Sequence, residues 1–357
     1  MTLLSIENLR TYFYSRAKRA FVRSVDGASL CVARGETLGV VGESGSGKTV
    51  TALSAAGLVT GAPGVISGRV QFASRNLLEG LERYVQLEEQ DGRVMAVQKD
   101  ERGWRRQVER LMAGVRGKEI AMIFQNPRAA LNPYTTVGEQ LVEAIRLHTR
   151  FKARKEAKER ALHWLERVRI DSPRLRFDNF PFGMSGGMCQ RAMIAMALCA
   201  EPSLLIADEP TTGLDATIQS RIVELLAQLK AEIGITTLLI SHDISVIRRL
   251  ADRVAVMYGG TVVETGRAAE VLQPHANHPY TGALLASIPT AEAIHSKKPL
   301  QAIEGEVPDT ISLPRGCRFY GRCNRVTEAV RSRCAALEPP LAEIAPGHKL
   351  RCWLHAA

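Results

Sequence analysis

The sequence predicts an α/β fold built on a sheet with parallel strands, and three observations predict it. The stretch Gly42-Glu43-Ser44-Gly45-Ser46-Gly47-Lys48-Thr49 fits the phosphate-loop pattern G-x-x-x-x-G-K-[ST], between an apolar run at 37–41 and a helix-forming run at 50–56. Apolar runs of strand length recur at 119–124, 203–207 and 236–240, with helically spaced stretches between them. Each run ends in polar residues: Gln125, Asp208-Glu209 and Ser241-His242-Asp243. Strands alternating with helices form parallel sheets, and such sheets gather ligands at their strand ends.

Residues 3–14 and 21–34 read as β-rich, and Arg34-Gly35-Glu36 turns the chain into the strand before the phosphate loop. Tyr12, Phe13 and Tyr14 lie about thirty residues upstream of Lys48; any of them offers a flat face for a base, or packs as core. The stretch from 79 to 110 is highly charged, and its apolar residues are only loosely helical in spacing. A surface helical excursion or a mobile loop is expected there. Asn126-Pro127 and Asn132-Pro133 mark loops. Val137, Leu141, Val142 and Ile145 share one helical face, and Ala157, Ala161, Leu162, Leu165 and Val168 another. Ser185 suits an N-cap for the apolar helix that follows, and a helix at 217–232 carries Ile218, Ile222, Leu225, Leu226 and Leu229 on one stripe.

The chemistry follows from residue type and position. Glycines let the phosphate loop turn its N–H groups toward phosphate oxygens, and the helix N-terminus behind it favours anions. Lys48 would reach the β- and γ-phosphates, and the Thr49 hydroxyl would ligate Mg²⁺. Two adjacent acids at the end of a buried strand are costly unless they handle charge. Asp208 would hold Mg²⁺ directly or through water, and Glu209 would polarise an attacking water as general base. His242 could contact the γ-phosphate, and Gln125 could bond Mg²⁺ or water.

Length and composition bound the class. At 357 residues, 45% hydrophobic and 24% charged, the chain has room for two domains and a sizeable core. Its net charge of +10 permits nucleic acid or an anionic surface as a partner, but equally a solvated face. No run approaches the ~18 apolar residues of a membrane span, and residues 1–7 lack a basic, then apolar, leader pattern, so a cytoplasmic location is expected. Cys317, Cys323, Cys334 and Cys352 crowd the C-terminal end, while Cys31, Cys189 and Cys199 are scattered. In a reducing compartment such a group points to metal more than to disulfides.

As a set, the phosphate loop, Gln125, Ser185-Gly186-Gly187, the Asp208-Glu209 strand, Thr212-Gly213-Leu214-Asp215 and His242 resemble an ABC-type ATPase over about residues 3–270. The resemblance implies an ATPase domain at 1–270 with a β-rich N-terminal part, a helical subdomain at about 127–185 and a charged insertion at about 79–110. It also implies a head-to-tail dimer in which Ser185, Gly186 and Gly187 bind the γ-phosphate held by the other subunit and Asp215 lies at the interface. Phe13 matches the adenine-stacking aromatic, and Gln125 would also sense the membrane partner. The signature departs from Leu-Ser-Gly-Gly-Gln, with Met184 and Met188 in the outer positions and Cys189 beside them, but its Ser-Gly-Gly centre is kept.

His278-Pro279-Tyr280-Thr281-Gly282-Ala283-Leu284-Leu285, Gly305-Glu306-Val307-Pro308-Asp309 and Leu313-Pro314-Arg315-Gly316-Cys317-Arg318-Phe319 resemble the tail of dipeptide/oligopeptide/nickel importer ATPases. Residues 271–357 would be that C-terminal extension. Its four cysteines match a set associated with a [4Fe–4S] cluster; Zn²⁺, with His348 close to Cys352, and four free thiols are the alternatives. Asn324 stands where the resemblance expects Pro, and the gap from Cys323 to Cys334 is long. The implied partners are two transmembrane permeases, a second ATPase subunit, distinct or identical, and an extracytoplasmic solute-binding protein, with no nucleic acid. The alternative is a soluble ABC ATPase acting on nucleic acid or ribosomes.

Overall fold

A computed structural model of the chain describes residues 1–90, 93–273, 278–288 and 302–355. Two long strands, β1 (Thr2–Ser15) and β2 (Ala20–Ala33), lead into β3 (Thr37–Val41) and α1 (Lys48–Ala55), then β4 (Pro63–Phe72), the short β5 (Arg75–Asn76), β6 (Val85–Gln90), β7 (Arg93–Lys99) and α2 (Glu101–Met112). The middle of the chain runs β8 (Ile120–Ile123), α3 (Pro127–Ala130), α4 (Val137–His148), α5 (Arg154–Arg167), α6 (Pro173–Phe177), α7 (Gly186–Leu198), β9 (Leu204–Asp208), α8 (Ala216–Ile233) and β10 (Thr236–Ile240). The last part holds α9 (Ile244–Leu250), β11 (Arg253–Tyr258), β12 (Thr261–Arg267), α10 (Ala268–Val271), α11 (Pro279–Ala286), α12 (Glu328–Ala336), β13 (Ala342–Ala345) and β14 (His348–Leu350).

The chain folds as two compact units. One comprises Met1, Val32–Thr37 and Glu109–Ser241; the other comprises Thr2–Cys31, Leu38–Val108 and the described residues from His242 onward.

In the first unit β8, β9 and β10 are parallel, with Ile123 opposite Ala207 and Ile240 opposite Asp208. Every residue of β9 and β10 is buried, which is why both read as unbroken apolar runs. The helices start where their caps dictate. Thr136 accepts from the Glu139 N–H to open α4, Ser185 from Met188 to open α7, and Asp215 from Ile218 to open α8. Val137, Leu141, Ile145, Trp164 and Phe177 are buried in this unit. All but Phe177, which lies on α6, come from the 3.6-residue periodicity visible between 137 and 170.

The second unit carries an antiparallel sheet in the order β2-β1-β4-β5. Separately, β3 runs parallel to β11, β11 pairs antiparallel with β12, and β14 and β13 continue from the β12 edge. Residues 342–350 of the tail are therefore continuous with a sheet that includes the strand feeding the phosphate loop.

The charged stretch at 79–110 differs from the helical excursion or mobile loop its spacing suggests. A 3-10 turn (Leu81–Tyr84) anchored by buried Leu81 leads into the antiparallel pair β6–β7, and only then into α2. Half-buried Val85 and Leu87 alternate with exposed Gln86 and Glu88, and Leu87 faces Val97 across the pair. That is a period of two, carried by too few apolar residues to stand out among the charges.

Candidate functional site

The phosphate loop lies in the second unit, between β3 and α1. Two of its glycines are required by contact as well as by dihedral angle. Gly42 has φ +152°, and a Cβ there would sit 2.2 Å from the Met257 carbonyl oxygen; Gly47 has φ +100°, and its Cβ would sit 2.4 Å from the Ser24 carbonyl oxygen. The loop backbone is thus pressed between β2 and β11. Its middle is tied down by Ser46, whose N–H donates to the Glu43 carbonyl (3.2 Å) and whose carbonyl accepts from Gly260 (3.1 Å). Ser44 and Gly45 form the exposed tip.

Lys48 is only 6% exposed. Its Nζ donates to the Gly42 carbonyl (2.8 Å), the Glu43 carbonyl (2.9 Å) and Ser46 Oγ (3.4 Å). The ammonium is therefore held over the loop it belongs to, where an incoming phosphate can exchange for neutral acceptors. Thr49 stands half-buried in the first turn of α1.

In the first unit the parallel register brings Gln125 and Glu209 together. They follow β8 and β9 at the same sheet end, and Gln125 Nε2 donates to Glu209 Oε2 at 2.9 Å. The Thr212 hydroxyl donates to the same oxygen at 2.9 Å. Asp208, the last residue of β9, is 3% exposed. Glu209 adopts φ +48°, left-handed backbone that a non-glycine residue takes at a cost of about 1 kcal/mol or more. Its N–H donates to the Ile240 carbonyl at 2.9 Å, which holds it there. The arrangement aims an oriented carboxylate from a fixed backbone, as a general base needs.

Ser185 and Asp215 each cap a helix in this unit, and both are exposed. Their loops are neighbours: a Cβ on Gly186 would lie 3.7 Å from Leu214, and one on Gly187 would lie 2.8 Å from Ile218. Met184 and Cys189 point inward and are buried, and the Cys189 thiol, pushed up by burial, donates to the Pro181 carbonyl. The exposed Ser185 end of α7, the part suited to an anion, is untouched by these two departures from the usual signature.

Phe13 and His242 belong to the second unit. The Phe13 ring rests on Gly61, whose added Cβ would be 2.5 Å from it. Tyr12 turns inward to donate to Asp26 (2.6 Å), and Tyr14 packs on Phe21. Of the three aromatics Phe13 alone is neither fully buried nor engaged with another ring among the described residues. His242 stands just before Asp243, the cap of α9.

The tail corrects the metal expectation. Cys317, Cys323, Cys334 and Cys352 line one small cavity with Phe319, Val330 and Trp353. Yet among the described residues no group of three or more His, Cys, Asp or Glu side chains is placed to hold a metal ion. All seven cysteines are free thiols. Burial pushes the four tail thiols up, Cys317 to about 12. His348, the residue that would support zinc, is committed elsewhere: its Nε2 bonds Glu264 Oε1 at 2.7 Å in a fully buried pair. Neither the iron–sulfur cluster nor zinc is supported, and the tail reads as free thiols in a packed module.

Sequence reasoning missed the contacts of that module with the loop. Arg322 pairs with the Glu43 carboxylate, and the Tyr280 hydroxyl accepts from the Glu43 N–H at 2.7 Å. The partners are separated by 279 and 237 residues, and no local pattern announces them.

A strand–loop–helix phosphate loop and, in the other unit, an acid pair closing a buried parallel strand are features of the class of P-loop ATPases. Residues 25–212 match the ABC transporter family, and residues 263–329 match the oligopeptide/dipeptide transporter C-terminal region. The chain is 41% identical to the probable peptide ABC transporter ATP-binding protein y4tR of Sinorhizobium fredii, over 98% of this chain and 94% of that one. It is 40% identical to the oligopeptide transport ATP-binding protein AppD of Bacillus subtilis, over 99% and 97%. The same fold is found in the dimeric ATP-binding cassette MJ0796 bound to ADP and Pi, with a TM-score of 0.59 at 23% identity, covering 74% of this chain and 98% of that one. The chain belongs to the ABC transporter family, as one of its ATPases.

Proposed function

We propose that the chain is the ATP-binding and ATP-hydrolysing subunit of an ABC importer that takes up di- or oligopeptides, or a related solute such as nickel. The observation that carries this is similarity at about 40% identity, over nearly the full length, to proteins named for peptide transport ATP binding, in a chain that keeps each residue the chemistry needs. The tail supports the peptide class, since it matches a C-terminal region named for oligopeptide and dipeptide transporters. The nucleic-acid alternative rests on net charge alone and is not favoured.

In this reading the loop from Gly42 to Thr49 cradles the phosphates, with the amides of Ser44, Gly45 and Gly47 turned to them, Lys48 balances their charge, and Phe13 stacks on the adenine. The oxygen donors Thr49, Asp208 and Gln125 are of the kind magnesium takes, and the ion would neutralise charge between the β- and γ-phosphates. Glu209 accepts the proton of the attacking water, Gln125 orients that water, and His242 contacts the γ-phosphate. Ser185, Gly186 and Gly187 of a second ATPase subunit complete the site, with Asp215 at the interface. Catalysis is then mainly positioning and charge stabilisation.

The partners follow from this role: two permeases, a second ATPase and a solute-binding protein, with the chain peripheral on the cytoplasmic membrane face. Among the described residues no helix is long and apolar enough to cross a membrane, so the translocation path is assigned to other chains. The test is to tag the chain in its own cells, solubilise membranes gently and identify what co-purifies. Two permeases with a second ATPase, and loss of labelled dipeptide uptake on deletion, are expected. Ribosomal proteins without any permease would overturn the importer reading.

A further inference from the structure

We propose that Arg322 and Tyr280, both outside the ATPase core, are positioning residues for the phosphate loop, so that nucleotide affinity depends on the C-terminal tail. The inference rests on the reading of the loop at 42–49 as the ATP site.

Every N–H of the Arg322 guanidinium is used. Nη1 and Nη2 donate to the two oxygens of Glu43 at 2.8 and 3.1 Å; Nη1 also reaches the Tyr258 hydroxyl at 3.2 Å. Nε and Nη2 donate to the Glu304 and Ile303 carbonyls at 2.9 and 3.2 Å. Five donors held in a fixed fork admit one orientation. The pair is shielded, with side-chain exposures of 6% for Arg322 and 25% for Glu43, and the bonds to Glu43 hold the guanidinium firmly in its charged form.

The backbone of Glu43 is fixed as well. Its N–H donates to the Tyr280 hydroxyl, and Tyr280 is buried against Tyr258 (ring centroids 4.5 Å apart) and Phe319 (5.5 Å). Phe319 stands edge-on to Tyr258 at 5.3 Å. A second grip reaches the loop indirectly. Arg318 donates to the Gly259 carbonyl at 2.6 Å and to the Asp26 carboxylate at 3.1 Å, and the adjoining Gly260 N–H holds the Ser46 carbonyl. The tail thus sets the loop at its second and fifth positions.

The charge logic gives the device its purpose. Glu43 places a carboxylate in a loop that receives a polyanion, and like charges oppose each other. The Arg322 fork neutralises that carboxylate and fixes where it points. Neither residue touches the reacting atoms in this account; both act through Glu43.

The test measures binding of a non-hydrolysable ATP analogue, with magnesium, to the full chain by calorimetry, and KM and kcat for ATP. Arg322→Ala is expected to weaken binding roughly tenfold, the scale of a lost charge-assisted pair. KM should rise in step while kcat at saturating ATP changes by less than about twofold. Glu43→Gln added to Arg322→Ala removes the unpaired carboxylate and is expected to recover most of the affinity, which a merely structural role would not do. Should Arg322→Ala fail to fold, Arg322→Lys and Tyr280→Phe replace it, each expected to weaken binding a few-fold. Lys48→Ala serves as reference. Wild-type affinity in the tail variants while Lys48→Ala loses binding would overturn the proposal and leave the ATP site standing. A loss in Arg322→Ala that Glu43→Gln does not relieve would also overturn it. Unchanged binding in Lys48→Ala would instead remove the ATP site reading itself.

Discussion

Acid should loosen the second unit through His278. The ring is buried and caps α11 by accepting from the Tyr280 N–H at 3.1 Å, while the backbone N–H of His278 donates to Glu264 Oε2 at 3.3 Å. Burial pushes it down from 6.5 to about 4. The unfolded chain binds the proton near 6.5 and the folded chain only near 4, so between these values the unfolded state holds more protons and stability falls as pH drops. Above 6.5 the contribution is fully present. At ~1.4 kcal/mol per pH unit, the gap from 6.5 to about 4 is worth roughly 3 kcal/mol. For a chain of this size that is about 4 °C in melting temperature. His278→Asn keeps an acceptor for the cap but does not titrate. Melting curves of both proteins from pH 8 to pH 4 should converge as acid is added, the wild type losing that much more than the variant. Parallel curves would refute the reasoning.

Three further outcomes are expected. Gly42→Ala should cut ATP affinity at least tenfold in equilibrium binding, because its Cβ would fall 2.2 Å from a backbone carbonyl that cannot retreat without moving β11. Glu264→Ala should cost about 3 kcal/mol in urea denaturation, since it strips a fully buried carboxylate from His348 and from the His278 N–H. In thiol labelling, exposed Cys31 should react first, and Cys199, buried and pushed up to about 12, only on unfolding.

Much of the fold was legible because the central strands are buried on both faces. Runs such as 204–208 and 236–240 cannot be mistaken for surface segments. The site was legible for a related reason. Phosphate loops need glycine at fixed places, and Gln125, Asp208 and Glu209 mark strand ends by polarity alone. The left-handed turn at Glu209 was not legible, because nothing in the residue type signals it. The pair β6–β7 was obscured because only one face is half-buried, leaving the alternation at Val85 and Leu87 too short to outweigh the charges. His348 illustrates the limit of proximity in sequence: it stands four residues from Cys352, yet its partner is Glu264, 84 residues away. The Arg322 fork is the same case at longer range, since a contact made by tertiary folding leaves no periodic trace.

The central claim is that this chain hydrolyses ATP with Glu209 as base. Its most direct test is phosphate release by the purified full chain, wild type against Glu209→Gln, with nucleotide binding measured on the same samples. The account predicts magnesium-dependent turnover in the wild type, a loss of at least a hundredfold in the variant, and ATP binding retained in both. Equal turnover in the two proteins would contradict it.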